Sequence, residues 1–274
     1  MKNICNGKKY IFINMALNKI VLIGAGNVAT HLGKALVHVG YNVAQVYSRT
    51  TESAKTLAVL LGTEYTTELD AICMDADIYI VSLKDSVLPE LIPYLVEKRE
   101  KSLFVHTAGS ISVDIWKGHA LRYGVFYPMQ TFSKCRDMDL ANVPFFVEAN
   151  DENECQYLRD LAGSLSSKVY DATSEQRKIL HMAAVFACNF TNHMYVLCNH
   201  LLIKNGLSFE MMLPLIDETA SKVHELLPKE AQTGPAVRYD LNVINRHLDM
   251  LKEEPDVQDI YEKISKSIHR YDKL

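Results

Sequence analysis

The chain predicts an α/β protein, a mostly parallel, doubly wound sheet followed by an all-helical C-terminal domain. Three observations carry that prediction. Short apolar runs alternate with helix-length segments up to residue 172, as parallel strands joined by crossover helices require. The first run, Lys19-Ile20-Val21-Leu22-Ile23, passes straight into Gly24-Ala25-Gly26-Asn27-Val28-Ala29 and then a helix. Beyond Asp171 the pattern becomes helical throughout.

The G-x-G-x-x-A turn between a strand and a helix is the fingerprint of a Rossmann-like dinucleotide site. Gly24 permits the tight turn, and Gly26 lets the backbone approach a pyrophosphate. Ala29 is small enough for the helix to sit close on the strand, and the first helical N–H groups face the anion. Gly24, Ala25, Gly26, Asn27 and Val28 are therefore the expected pyrophosphate cradle. The first helix runs from Val28 to Val39 and closes at Gly40. The second strand, Val43 to Tyr47, leads into Ser48-Arg49-Thr50-Thr51. An NAD enzyme places an acidic residue here for the ribose 2′-OH, and this chain has none before Glu52. Hydroxyls and a guanidinium suit a 2′-phosphate instead, so Ser48, Arg49 and Thr50 predict NADP(H). The plainer alternative is a polar turn opening the helix Ser53 to Leu61, with Arg49 merely solvated.

The next elements extend the sheet. Ile78 to Val81 is read as a fourth strand, ending in Ser82-Leu83-Lys84-Asp85-Ser86. Leu103 to Val105 is a fifth, ending in His106-Thr107-Ala108-Gly109-Ser110. Val125-Phe126 begins a sixth that closes in Tyr127-Pro128-Met129-Gln130-Thr131-Phe132. Phe145 to Val147 and Lys168 to Tyr170 add two more, with the helix Glu152 to Leu165 between them. Ligands of open α/β sheets bind outside the carboxyl ends of the strands. Ser82 and Leu83 are thus expected beside the nicotinamide ribose, although any one of these polar positions could equally be an ordinary loop.

Thr173-Ser174-Glu175-Gln176 fits a capping box that opens a helix reaching about Lys204, with Asn205-Gly206 as its stop. About thirty residues span roughly 45 Å. Ile179 to Ile203 carries no charge other than its histidines, and a helix like that needs burial on most sides. The expectation is a homodimer packed through the C-terminal helices; the alternative is a helix sandwiched within one chain. At about 100° per residue, His181 and Asn192 fall roughly 20° apart, with Asn189 and His193 further round. Polar groups on a buried helix either bond structurally or face a cleft. A reductase needs a proton donor beside the hydride acceptor, which makes His181 the candidate acid and Asn189 a candidate for orienting substrate. Helices are also expected over Phe209 to Leu227, Leu241 to Leu251, and from about Val257. Asp240 reads as an N-cap. Arg238, on the Gly234-Pro235 turn, is a candidate clamp for a substrate carboxylate.

The 274 residues divide into an N-terminal extension (1–16), a nucleotide-binding domain (17–172) and a helical substrate and dimerisation domain (173–274). Net charge of -4 with scattered signs argues against a nucleic-acid surface. Cys5, Cys73, Cys135, Cys155, Cys188 and Cys198 show neither C-x-x-C nor metal-ligand spacing, which fits a reducing cytoplasm and no metal. No run has the roughly 20 apolar residues of a membrane span. Lys8-Lys9 before Tyr10 to Ile13 is signal-like, but Asn14 interrupts it and no cleavage site follows. Met15 would serve as a start as well as Met1.

Together GAGNVA, HTAGS, YPMQTF, HMAAVFACNF and TGPAVRYD resemble a bacterial oxidoreductase family. Its members join a Rossmann-like NADP-binding domain to a C-terminal helical domain of unknown function, and the resemblance runs from Leu17 onward. That family is similar to pyrroline-5-carboxylate reductases and deazaflavin-dependent NADP reductases. The resemblance implies extra strands on the sheet, a helical dimerisation domain and NADP(H), but no substrate. Pyrroline-5-carboxylate reductases carry Ser-Gly-Ser-Gly-Pro-Ala where this chain has Lys178 to Ala184. β-Hydroxyacid dehydrogenases carry Lys-x-x-x-Asn, whereas Lys178 has Met182 at that offset. His181 and Asn189 are read as replacing that pair. The resulting expectation is an NADP-dependent oxidoreductase acting on a small carbonyl or imine. The alternatives are a non-catalytic NADP(H) sensor and a β-hydroxyacid dehydrogenase-like enzyme with an altered acid.

Overall fold

The structure is a computed structural model that describes residues 19–272. The expected N-terminal extension, its signal-like run and the choice between Met1 and Met15 lie outside the described residues.

The sheet is built from β1 (Lys19–Ile23), β2 (Asn42–Tyr47), β3 (Glu64–Thr66), β4 (Ile78–Val81), β5 (Leu103–His106), β6 (Arg122–Pro128), β7 (Phe145–Ala149) and β8 (Val169–Asp171). Their order is β3-β2-β1-β4-β5-β6-β7-β8. Chain growth thus runs outward from β1 to β3 and then restarts on the other side with β4, so the switch point lies between β1 and β4. Every neighbouring pair is parallel except β6 and β7. A parallel return needs a crossover helix. The segment between β6 and β7 holds none, and β7 pairs antiparallel, Phe126 facing Val147.

Alternation along each strand builds two cores. On β1, Ile20 and Leu22 pack with Leu32 and Leu36 of α1 (Asn27–His38), Leu57 of α2 (Thr51–Leu61) and Leu158 of α4 (Glu152–Leu165). Val21 and Ile23 face the other way, against Ile92 and Leu95 of α3 (Leu88–Val96) and Trp116. That two-faced burial is what doubly wound means in packing terms. Helix α3 escapes the sequence reading because Pro89 and Pro93 break its pattern. Pro89 stands in the first turn, where no N–H is needed, and Pro93 lies inside the helix.

The capping box forms as expected: the Thr173 side chain accepts from the Gln176 N–H, and the Gln176 side chain accepts from the Thr173 N–H. It opens α5 (Ser174–Ala184), which continues through a π-helix (Val185–Phe190) into α6 (Thr191–Lys204). The chain divides into two compact units, the first ending at Phe186 and the second beginning at Ala187. Helix α5 is tied to its own unit by the buried Arg177, whose guanidinium donates to Glu148 of β7 and to the Ile111 carbonyl.

The second unit holds α6, α7 (Leu213–Lys222), α8 (Pro228–Ala231), α9 (Leu241–Met250) and α10 (Pro255–Asp272). The single helix expected over Phe209 to Leu227 is instead a 3₁₀ turn (Phe209–Met212) followed by α7, which stops at Lys222. Pro214 and Pro228 each open a new helix, where a missing N–H is harmless. The Asp240 side chain caps α9 by accepting from the Val243 N–H at 3.3 Å. No residue from Val185 to Lys204 is buried among the described residues.

Candidate functional site

The glycine turn is locked to the switch point by backbone. The Gly24 N–H donates to the Tyr47 carbonyl at 2.7 Å, and the Ser82 N–H donates to the Ile23 carbonyl at 2.8 Å. Gly24 has φ +112°, and a Cβ there would stand 2.4 Å from the Ser82 carbonyl oxygen. Glycine is required on both counts. Gly26 is different: a Cβ on it would meet nothing within 4 Å. The space beside it is open, as a bound pyrophosphate demands. Gly26 is also the N-cap of α1, with no side-chain cap and no acidic residue in the first turn. The N–H groups of Asn27 and Val28 thus begin a helix whose positive end is uncompensated. Ala25 and Ala29 are buried beneath the turn. Gly33, which the motif does not include, packs where a Cβ would stand 2.7 Å from Leu61.

At the end of β2, the Ser48 N–H donates to the Thr66 carbonyl at 3.3 Å, and Thr50 is the N-cap of α2, its hydroxyl on Ser53 at 2.9 Å. Arg49 is exposed and makes no hydrogen bond or ion pair with the described residues. The residues present therefore fit a dinucleotide with an additional anionic group at β2: an open cradle, a bare helix terminus and an uncommitted guanidinium.

From the glycine turn a series of contacts leads across the carboxyl ends of the strands. Ser82, packed on Gly24, accepts from the Thr107 hydroxyl at 3.1 Å, and Leu83 packs into the second core. Two residues on, Gly109 faces the His181 ring, so close that a Cβ would stand 2.8 Å from Nδ1. The Tyr127 hydroxyl, at the end of β6, lies 3.2 Å from His181 Nδ1, and the two rings meet edge to face. His181 itself is exposed on its outer side. Burial holds the Tyr127 hydroxyl above its ordinary pKa, so it remains a protonated donor. Sequence reasoning missed this tyrosine and Gly109 as partners of His181, although both stand in strand-end clusters it had marked.

His106 behaves otherwise. It is fully buried, its pKa pushed down to about 3 by burial and then by the Arg177 charge. Its Nδ1 accepts from the Ala108 N–H at 3.2 Å while Nε2 lies 3.4 Å from the Ser112 carbonyl. A neutral imidazole with both nitrogens engaged shapes the 106–112 turn and has no free proton to offer.

Asn189 and Arg238 belong to the second unit. Asn189 lies in the π-helix, a short and strained helical form that concentrates at functional positions. Arg238 is exposed between two anchors: Ala236 is buried, and Tyr239, with φ 52°, stacks on His269 at 4.3 Å. Among the described residues no cluster of His, Cys, Asp and Glu could hold a metal, and no helix is long and apolar enough to cross a membrane.

Two family models match. Residues 19–109 match the coenzyme F420-dependent NADP oxidoreductases, and residues 143–268 match a domain of unknown function. No curated protein matches the chain. The crystal structure of a "putative NADP oxidoreductase" from Bacteroides fragilis is 59% identical, covers 92% of this chain and 98% of its own, and superposes with a TM-score of 0.90. An imine reductase from Myxococcus stipitatus, in complex with NADP+, shares the fold at 16% identity, 93% coverage of each chain and TM-score 0.65. A Plasmodium falciparum pyrroline carboxylate reductase with NADP bound does so at 12% identity, 93% and 99% coverage and TM-score 0.59. With the dinucleotide cradle intact and more than half of its residues shared with the Bacteroides protein along nearly the whole of both chains, this chain belongs to the same NADP oxidoreductase family.

Proposed function

We propose that the protein moves hydride between NADP(H) and a small carbonyl or imine compound. The observation that carries this reading is the series of contacts from Gly24 to Ser82 and Thr107, continued two residues along the chain by Gly109, which faces His181. It puts a titratable side chain on the same strand ends as the cofactor turn. NADPH, when bound, supplies the hydride. Gly24, Ala25, Gly26, Asn27 and Val28 hold the pyrophosphate; Ser48, Arg49 and Thr50 hold the 2′-phosphate; Ser82 and Leu83 flank the nicotinamide ribose. His181 gives the proton. Donation from the Tyr127 hydroxyl to Nδ1 leaves the imidazole proton on Nε2, the atom then available to substrate. Asn189 orients the substrate and Arg238 binds its carboxylate. The structures of an imine reductase and a pyrroline carboxylate reductase on this fold support a C=N substrate as well as C=O.

Arg49→Ala tests the cofactor assignment. Titrated side by side, the wild type binds NADPH more tightly than NADH, and the variant loses that preference by ten- to hundredfold, the usual magnitude for a charge-assisted hydrogen bond. Equal affinities in the wild type would sink the assignment.

We also propose that the chain is a homodimer through its C-terminal helices. Support comes from Val196, Ile203, Leu213 and Leu215, large apolar side chains that stay exposed on α6 and α7. Light scattering should then give twice the 31.0 kDa chain mass, and the single mass would refute the dimer. The free thiols of Cys73, Cys135, Cys155, Cys188 and Cys198 support a reducing cytoplasm.

A further inference from the structure

The segment between β6 and β7 lies along α1 and is fastened there three times. The Asn27 amide donates to the Phe132 carbonyl at 2.9 Å. The His31 ring bonds the Ser133 carbonyl at 2.9 Å and stacks on Phe132 at 5.1 Å. Lys34 pairs with Asp137. Residues 27, 31 and 34 share one helical face, so the strap runs along the helix from its N-terminus. From the middle of that strap Lys134 reaches back to the glycine turn, where its ammonium donates to the Ala25 carbonyl at 2.6 Å.

A cation in that position is out of place in the protein alone. The N-terminus of α1 already carries a positive partial charge, with no capping side chain and no acid in its first turn. Lys134 has no carboxylate partner among the described residues, and its ammonium carries two donor hydrogens besides the one on the Ala25 carbonyl. A lysine in the last turn would be stabilised; one at the first turn is repelled unless an anion lies between. We infer that Lys134 is a pyrophosphate-binding residue of the dinucleotide site, a cation brought by the strap and lying outside the G-x-G-x-x-A motif. This rests on the NADP(H) reading of the same turn.

Its signature differs from that of Arg49, because both dinucleotides carry the pyrophosphate and NADPH alone the 2′-phosphate. In Lys134→Met, affinity for NADPH and NADH falls together, by about tenfold or more, and the salt dependence of binding becomes shallower. Binding of adenosine 2′-monophosphate, which lacks the pyrophosphate, stays at the wild-type value in Lys134→Met and is lost in Arg49→Ala. Lys134→Arg keeps most of the dinucleotide affinity. Because Lys134 is exposed, the thermal midpoint of the methionine variant matches the wild type. Unchanged NADPH affinity in Lys134→Met, or a loss confined to NADPH, would overturn the inference while leaving the cofactor reading intact. A wild type that binds neither dinucleotide would overturn both.

Discussion

His181→Ala is expected to lower kcat by about a hundred- to ten-thousandfold, the contribution of a positioned general acid, while NADPH affinity stays within twofold of wild type (about 0.4 kcal/mol). The side chain meets Gly109 and Tyr127 but contributes nothing to the glycine turn, so chemistry and cofactor binding separate. The measurement is NADPH oxidation with an imine or 2-oxo acid that the wild type reduces, alongside a nucleotide titration. Tyr127→Phe keeps the ring contacts and removes the hydroxyl. It should give a smaller loss, because Nδ1 is then free to carry the proton that Nε2 must present to substrate. Wild-type turnover in His181→Ala would remove this residue from the mechanism and return the exposed histidine to a surface role.

The second large effect separates two glycines that stand two positions apart in the same turn. Gly24→Ala forces a methyl to within 2.4 Å of the Ser82 carbonyl oxygen at φ +112°. Strain of that kind costs about 1–3 kcal/mol before the overlap with backbone is counted, and each kcal/mol lowers the melting midpoint by roughly 2–4 °C in a chain of this size. Gly26→Ala has φ -81° and open space around its Cβ. It should melt with the wild type yet bind NADPH at least tenfold more weakly, because the methyl occupies the approach to the pyrophosphate. Melting curves and titrations on the two variants check this directly. A Gly26→Ala protein with full NADPH affinity would show that the cofactor does not use this turn.

Much of the fold was legible because many of its elements are set by local rules. An apolar run followed by G-x-G-x-x-A, a capping box at Thr173 and an N-cap at Asp240 each depend on a few neighbouring residues, and all form as read. Helix α3 was hidden because two prolines argue against the helix that tertiary packing of Leu88, Ile92 and Leu95 nevertheless secures. The break after Lys222 was hidden for the converse reason: apolar spacing continued past residues that form separate short turns. At the site, His181 was found by chemistry, but its partners Gly109 and Tyr127 stand far away in sequence and meet it only through sheet order. Lys134 was invisible for the same reason, being more than a hundred residues from the carbonyl it holds. The wheel that aligned His181 with Asn192 assumed 100° per residue, and a π-helix over Val185–Phe190 does not keep that spacing.

The sheet order also bears on how the chain is made. β1 is the first described strand to leave the ribosome, yet it ends in the middle of the sheet, hydrogen-bonded to β2 on one edge and β4 on the other. Its residues from Ile20 to Ile23 are wholly buried in the finished protein. During synthesis at roughly 5–20 residues per second, the β4 edge of this strand stays open for seconds, until Ile78–Val81 arrives. An apolar strand with an unpaired edge is a template for the wrong partner. Nascent chains stalled before β4 therefore hold that edge of β1 unpaired for as long as the stall lasts.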